Sequence, residues 1–224
     1  VKMAVLVLQH PHLAQLNWQN WAHVFTSPQS QQEQVWRFDV ADGFGLHPEQ
    51  AQWLQQHRVD AAIVPDMAFA DLGLIVSDMD STLITIECID EIAAGNGLKD
   101  QVAAITERSM AGELDFETSL RERVALLKGL PESVMDDVYL HVLQLTAGAE
   151  DLIAQCQQHH VKCMLVSGGF TFFTERLKQR LGLDYAYANQ LEIIGGKLTG
   201  QLTGRIIDAQ AKADLLRQHA LDLD

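Results

Sequence analysis

The segment that most constrains the fold is a short apolar run that ends in acidic and hydroxyl residues. Residues 72–76 read Leu-Gly-Leu-Ile-Val, and Ser-Asp-Met-Asp-Ser-Thr follows at 77–82. A continuous apolar run of strand length is typical of a strand covered on both faces in a parallel sheet. Ligand sites in such α/β sheets lie beyond the carboxyl ends of the strands. The sequence therefore predicts a functional site that begins at Asp78.

The chain after this strand alternates helices and strands. We predict three strands and three helices, at 161–166, 191–194, 197–202, 149–160, 170–181 and 208–219. Gly195-Gly196 is a hairpin turn signal, and Gly182 and Asp208 stand at helix caps. Between about 87 and 145 the pattern is almost wholly helical. This order predicts a Rossmann-like parallel sheet with a helical cap inserted after its first strand.

The first 70 residues are predicted to form a separate small α/β domain. A domain boundary is expected between Pro65 and Asp71, where proline breaks one apolar run and another begins. The glutamine-rich stretch from Ser30 to Gln34 lacks periodicity and predicts a loop. No catalytic constellation precedes residue 70, so function is expected in the second domain, 71–224.

Charge and cysteine content exclude several classes of function. Thirty acidic residues against 16 lysines and arginines give a formal net charge of -14, which nucleic acid and anionic membranes would repel. No apolar run approaches the roughly 18 residues of a membrane span. Three cysteines without a CxxC pair argue against disulfides and zinc ribbons. We expect a cytoplasmic protein that binds neither nucleic acid nor membrane.

Asp78 and Asp80 are the candidate reactive groups. They are two residues apart, so on an extended segment both carboxylates would point to the same side. Such a pair repels unless one group is protonated or a cation such as Mg²⁺ binds between them. One carboxylate can attack phosphorus, and the other can exchange protons with the leaving alcohol and with water. The alternative is a strand end stabilised by an Asx turn.

Groups that could receive a phosphate follow later in the chain. A dianionic phosphate about 4 Å from ionised Asp78 meets a repulsion of order 8 kcal/mol at an effective dielectric near 20. Ser167 offers a hydroxyl, and Gly168-Gly169 would offer backbone N–H groups at a helix N-terminus. Lys212 lies among small residues near the start of the last helix. The alternatives are a helix cap with a tight glycine turn, and a lysine on a solvated helix face.

These segments resemble those of a known family. Asp78-Met-Asp-Ser-Thr82, Val166-Ser-Gly-Gly-Phe170 and Lys212 are similar, in order and spacing, to the first three motifs of haloacid dehalogenase (HAD) phosphatases. Further segments resemble phosphoserine phosphatases: Glu87-Cys-Ile-Asp-Glu91, Met110-Ala-Gly112, Phe116-Glu-Thr-Ser-Leu-Arg-Glu-Arg123 and Leu181-Gly-Leu-Asp-Tyr-Ala186. Residues before 70 resemble, less specifically, the extra N-terminal domain of some bacterial members. That domain would be regulatory or would form a homodimer.

The resemblance implies the chemical roles of five residues. Asp78 would be the nucleophile and Asp80 the proton donor, and both would bind Mg²⁺, Asp78 through its carboxylate and Asp80 through its backbone carbonyl. Ser167 and Gly168 would hold the phosphate, and Lys212 would neutralise it.

The resemblance also implies how the substrate is selected. Glu87 would accept the substrate ammonium and Arg123 would clamp its carboxylate, while Met110 and Phe116 would exclude solvent. The implied reaction is Mg²⁺-dependent hydrolysis of O-phospho-L-serine through an aspartyl-phosphate, the last step of serine biosynthesis. An amino acid phosphate needs one acid, one bidentate base and an anion site, which this set supplies.

One motif of the family has no counterpart here. The fourth motif, Gly-Asp-Gly-x-Asn-Asp, supplies a further metal-binding carboxylate, and nothing before residue 224 matches it. We expect that the intact gene product is an active phosphatase, whereas the 224-residue polypeptide is truncated, binds Mg²⁺ weakly and turns over poorly. The alternatives are a phosphatase or phosphotransferase for another small phosphate ester, and a phosphate-binding module without catalysis.

Overall fold

The computed structural model describes residues 3–21 and 28–223. The chain divides into two compact units between Ala68 and Phe69, inside the interval from Pro65 to Asp71 that the sequence indicated. In the described part of the chain, every helix is too short or too polar for a membrane span.

The first unit is an antiparallel sheet with one α-helix. Its elements are β1 (Met3–Gln9), β2 (Pro28–Gln31), β3 (Val35–Ala41), α1 (Pro48–Gln56) and β4 (Asp60–Pro65). The strand order is β2-β3-β1-β4, and Leu6, Leu8 and Phe38 are fully buried in its core. The chain's four tryptophans all fall in this unit, at 18, 21, 36 and 53.

The prediction of a loop from Ser30 to Gln34 is wrong for its first two residues. Ser30 and Gln31 belong to β2 and pair with Arg37 and Trp36 of β3. β2 lies at an edge of the sheet, where backbone hydrogen bonds stabilise a strand even when its side chains face solvent. Apolar periodicity therefore gave no signal for this strand.

The second unit contains the predicted parallel sheet. Its strands are β5 (Leu74–Ser77), β6 (Lys162–Phe170), β7 (Tyr185–Ile194) and β8 (Lys197–Thr203), in the order β5-β6-β7-β8. The β5–β6 and β6–β7 pairs are parallel, and the β7–β8 hairpin is antiparallel. The predicted α/β class with a Rossmann-like sheet is therefore confirmed. β7 begins six residues before the predicted strand, because its parallel pairing with β6 also stabilises the mixed segment 185–190.

Helices connect these strands and fill the insert. The helices that pack against the strands of the sheet are α6 (Ala149–Gln158), α7 (Thr171–Leu181) and α8 (Ala209–Asp222). The helices of the insert after β5 are α2 (Cys88–Gly95), α3 (Lys99–Met110), α4 (Phe116–Leu126) and α5 (Ser133–His141). Gly182 ends α7 with a left-handed φ of 68°, and the Asp208 carboxylate accepts a hydrogen bond from the Ala211 N–H. Both predicted caps are confirmed.

The two ends of the insert meet beside β5. Ile84 forms an antiparallel bridge with Leu145, and the Thr146 hydroxyl donates to the Thr82 carbonyl at 2.6 Å. This pairing returns the chain to the carboxyl edge of the sheet, so the insert stands over the end of β5.

Candidate active site

A cavity of about 200 Å³ lies at the carboxyl ends of β5 and β6. Seven of the nine predicted site residues line it: Asp78, Asp80, Glu87, Phe116, Arg123, Gly168 and Lys212. Ser167 is fully buried and joins the group through a hydrogen bond to Asp80. Met110 does not line the cavity, and it is 85% exposed. Eight of the nine residues are therefore brought together.

Asp78 is paired with a lysine from the far end of the chain. Its Oδ1 accepts a hydrogen bond from the Met79 N–H at 2.8 Å, which fixes the carboxylate just after β5. Its Oδ2 accepts from Lys212 Nζ at 2.6 Å, across 134 residues of sequence. Ala211, beside the lysine, is 1% exposed, so the start of α8 packs against the sheet and Lys212 reaches the cavity. The positive charge needed near Asp78 is present.

Asp80 is less exposed to solvent than Asp78. Its Oδ1 accepts from the Cys88 N–H at 2.9 Å, and its Oδ2 accepts from the Ser167 hydroxyl at 3.2 Å. Burial raises the pKa of Asp80, and these hydrogen bonds offset only part of that effect. A carboxyl group with a raised pKa holds its proton longer, as a proton donor must.

The backbone is extended at Asp78 (φ −75°, ψ 166°) and at Asp80 (φ −63°, ψ 134°), as the sequence predicted, although β5 itself ends at Ser77. The chain turns at Ser81, which has a left-handed φ of 51°, and the Ile84 N–H donates to the Met79 carbonyl at 3.0 Å. The Ser81 hydroxyl donates to Glu87 Oε1 at 2.6 Å. Both aspartates line the cavity, and Asp80 lies close enough to β6 to accept the hydrogen bond from Ser167. Local hydrogen bonds therefore stabilise a turn here instead of a continued strand.

Ser167, Gly168 and Gly169 continue β6 and do not begin a helix. β6 extends to Phe170, four residues beyond its predicted end at Val166, and α7 starts at Thr171, one residue after its predicted start, so the two glycines lie just before the helix N-terminus. The Gly169 N–H already donates to the Ser167 hydroxyl at 2.8 Å. The segment is thus an ordered strand end in which serine links the glycine backbone to Asp80.

The two glycines are required by close packing. A Cβ on Gly169 would lie 2.6 Å from Asp80 Oδ2 and 2.8 Å from Met79 Cε. A Cβ on Gly168 would lie 2.9 Å from Cζ of Phe116. The strand end can approach Asp80 and the helical insert this closely only because both positions lack a side chain.

Glu87 and Arg123 give the cavity an acid and a base on the side of the insert. Burial raises the pKa of Glu87, and the nearby Asp80, Asp90 and Asp78 raise it further. Burial lowers the pKa of Arg123, although the charges of Asp90, Glu87 and Asp80 oppose this effect. An ammonium near Glu87 and a carboxylate near Arg123 would each favour the ionised side chain.

One buried side chain at the site was missed by the sequence reading. Asn189 in β7 is 1% exposed. Its Nδ2 donates to the Gly168 carbonyl at 2.8 Å, and its Oδ1 accepts from the Ile207 N–H at 2.8 Å. The residue therefore ties the strand end at Gly168 to the segment that leads into α8. An asparagine within a strand of mixed polarity was its only sequence signal.

The oxygen atoms suited to a hard cation are few. Within residues 3–21 and 28–223, no three His, Cys, Asp or Glu side chains are grouped as metal ligands. The Asp78 carboxylate is 45% exposed, and the Asp80 backbone carbonyl belongs to the same turn. Mg²⁺ is commonly held by one or two protein oxygens together with waters and substrate phosphate, so these two donors fit part of such a shell.

Comparison with known proteins places this geometry in context. Residues 75–224 match the sequence model of the haloacid dehalogenase-like hydrolases. The chain is 47% identical over 193 residues to a phosphoserine phosphatase of Vibrio cholerae, covering 85% of this chain and 58% of that protein. It is 51% identical over 147 residues to one of Archaeoglobus fulgidus, covering 66% of this chain and 42% of that protein. The chain thus spans about half the length of these relatives.

Solved structures show the same similarity. A HAD family hydrolase from Salmonella enterica serovar Typhi superposes with a TM-score of 0.84 at 29% identity, over 99% of this chain and 79% of that one. A probable phosphoserine phosphatase from Vibrio cholerae superposes with a TM-score of 0.80 at 37% identity, over 99% and 69%. A substrate-bound phosphoserine phosphatase complex gives 0.63 at 40% identity, over 68% and 72%.

Proposed function

Because the chain belongs to the haloacid dehalogenase-like hydrolase family, we propose that the intact protein hydrolyses O-phospho-L-serine to serine and phosphate. The observation that carries the proposal is a single cavity in which the Asp78–Lys212 pair lies with Glu87 and Arg123. These side chains match the phosphate, the ammonium and the carboxylate of the substrate. Curated relatives about half identical in sequence are named phosphoserine phosphatases.

The reaction takes place in two steps, and each uses both aspartates. In the first, an Asp78 oxygen forms a bond to phosphorus while the bond from phosphorus to the serine oxygen breaks, and Asp80 gives its proton to that oxygen. In the second, Asp80 takes a proton from water as the water oxygen attacks phosphorus and releases Asp78. The raised pKa of Asp80 supports its role as the acid.

Charge complementarity supports the phosphate position. A unit charge about 4 Å from a dianionic phosphate contributes roughly 8 kcal/mol at an effective dielectric near 20, so Lys212 at a distance similar to that of Asp78 offsets the repulsion by Asp78. The Asp78 carboxylate and the Asp80 carbonyl would hold Mg²⁺. When bound, the ion supplies further positive charge at the phosphate oxygens.

The size of the cavity favours a small substrate. Its volume of about 200 Å³ falls below the roughly 300–1,000 Å³ of pockets for drug-sized ligands. An amino acid phosphate suits this volume better than a nucleotide does. Glu87 and Arg123 then distinguish it from phosphate esters without an ammonium and a carboxylate.

Substitution of Arg123 by alanine tests the proposal. The intact gene product, assayed at saturating Mg²⁺, should release phosphate from O-phosphoserine, and a chelator should abolish this activity. Loss of a charged hydrogen-bond partner costs about 1.5–3 kcal/mol, so R123A should lower kcat/KM for O-phosphoserine by roughly 10- to 150-fold. Hydrolysis of an aryl phosphate, which lacks the carboxylate, should change little.

Arg121 provides the matched control on the same helix. It is half exposed and pairs with Glu117, so R121A should leave both substrates unaffected. Equal losses on both substrates in R123A would favour a phosphatase for another ester, and failure to trap a phosphoryl group on Asp78 would favour a binding module. The same assay on the 224-residue polypeptide tests the prediction that it turns over poorly.

A further inference from the structure

The walls of the cavity come from two separate parts of the second unit. Asp78, Gly168 and Lys212 belong to the strand ends and to α8, whereas Phe116, Leu120 and Arg123 all project from α4 of the insert. A substrate that contacts both Lys212 and Arg123 must bridge the gap between these parts. The position of α4 therefore fixes which substrates fit.

The β7–β8 hairpin holds the carboxyl end of α4 in place. The Gly129 N–H donates to the Leu198 carbonyl at 2.8 Å, and the Leu198 N–H donates to the Leu130 carbonyl at 2.9 Å. The Glu132 N–H also donates to the Gly196 carbonyl at 2.9 Å. The segment that follows α4 is thus hydrogen-bonded to β8 like an added strand.

Gly200 of β8 lies directly against the carboxyl end of α4. A Cβ at this position would lie 2.9 Å from Lys128 Cβ, 3.2 Å from the Ala125 carbonyl oxygen and 3.3 Å from Ala125 Cα. Backbone atoms cannot yield as the end of a flexible side chain can, so any side chain here must displace the helix. The φ of Gly200 is 81°, which also favours glycine.

Displacement at this contact would act mainly on Arg123. Ala125 is two residues from Arg123, whereas Phe116, at the other end of α4, packs against Gly168 at the strand end. A shift at Ala125 would tilt the helix about its Phe116 end and move the guanidinium. The groups assigned to the phosphate lie on other elements and would keep their positions.

We propose that Gly200 is a positioning residue that sets the separation of Arg123 from the phosphate-binding groups, and so sets the preference for phosphate esters that carry a carboxylate. The inference rests on the proposed function and deepens it. Because small misplacements of a binding group lower rates steeply, G200A should reduce kcat/KM for O-phosphoserine by about 10- to 100-fold. The value for p-nitrophenyl phosphate and the inhibition constant of inorganic phosphate should stay within about twofold.

Gly195 provides the control in the same hairpin. Its φ is 61°, and a Cβ there would meet no atom within 4 Å, so G195A introduces similar backbone strain without contact to α4. G195A should keep the wild-type ratio of the two kcat/KM values. A double variant, G200A/K128G, removes the closest side-chain contact and should recover part of the O-phosphoserine activity.

The outcomes separate this inference from the proposed function. Wild-type protein that hydrolyses p-nitrophenyl phosphate but not O-phosphoserine would contradict the proposed function itself. Equal losses on both substrates in G200A, or no loss on either, would overturn the role of Gly200 alone. If neither G200A nor the double variant folds, Gly200 serves folding and the proposal fails.

Discussion

Two buried serines allow a paired test of how the strand end at the site is held. Ser167 is 0% exposed and Ser119 is 1% exposed. The Ser167 hydroxyl donates to Asp80 Oδ2 and accepts from the Gly169 N–H. The Ser119 hydroxyl has no hydrogen-bond partner among the described residues. Serine-to-alanine substitution removes the same atom at both positions, so only the partners differ.

Only one of the two substitutions should lower the stability of the protein. S167A leaves a buried carboxylate oxygen and a backbone N–H without a partner, which should cost about 2–4 kcal/mol of the free energy of unfolding. For a domain of this size the melting temperature should fall by roughly 4–16 °C. S119A removes a buried hydroxyl that no group binds, so its effect should be neutral or slightly stabilising.

Far-UV circular dichroism is the appropriate measurement for this pair. All four tryptophans precede Ala68, so tryptophan fluorescence would report on the first unit and not on the unit that contains both serines. The thermal transition of the second unit should be compared in wild type, S167A and S119A. Equal destabilisation by the two substitutions would refute the argument that the partners of Ser167, and not its volume, stabilise the strand end.

Two further predictions concern the same site and the helix above it. G169A places a Cβ 2.6 Å from Asp80 Oδ2, so it should cost about 1–3 kcal/mol of the free energy of unfolding and lower kcat. The control G95A, at the end of α2 and in open space, should leave kcat unchanged and should not lower the stability. Unchanged kcat in G169A would contradict the close packing of Gly169 against Asp80. The Asp115 carboxylate caps α4 by accepting from the Thr118 N–H at 2.7 Å, which lowers the pKa of Asp115. Its stabilising effect is therefore present above the unfolded pKa, near 4, and is lost as pH falls through the folded pKa. The difference in melting temperature between wild type and D115N should narrow over that interval, and a constant difference would contradict this assignment.

Much of the fold was predictable because its signals are local. The apolar run before Asp78 predicted a strand, and β5 forms there, although it is half-buried at the edge of the sheet and not fully covered as expected. Gly182 and Asp208 marked helix ends correctly. Each of these depends on backbone geometry within a few residues. Element ends were less certain: β6 was predicted to end at Val166 and continues through Ser167 to Phe170.

The parts of the site that the sequence did not predict depend on contacts between distant segments. Asn189 bridges the strand end at Gly168 and the segment at Ile207, and Gly200 allows β8 to pack closely against α4. Neither residue belongs to a short motif, and neither role follows from hydrophobic periodicity. Met110 shows the converse case, because the resemblance suggested a wall of the cavity while its side chain lies in solvent.

The amino-acid sequence determined the class of the fold and the candidate chemical groups, since residue type and near-neighbour spacing specify strands, caps and ionisable side chains. The tertiary structure alone decided that Lys212 pairs with Asp78, that Asp80 is half-buried beside Ser167, and that a glycine in β8 packs closely against the helix that carries Arg123. These relations arise from packing across many residues, where burial and distance determine pKa and electrostatic energy.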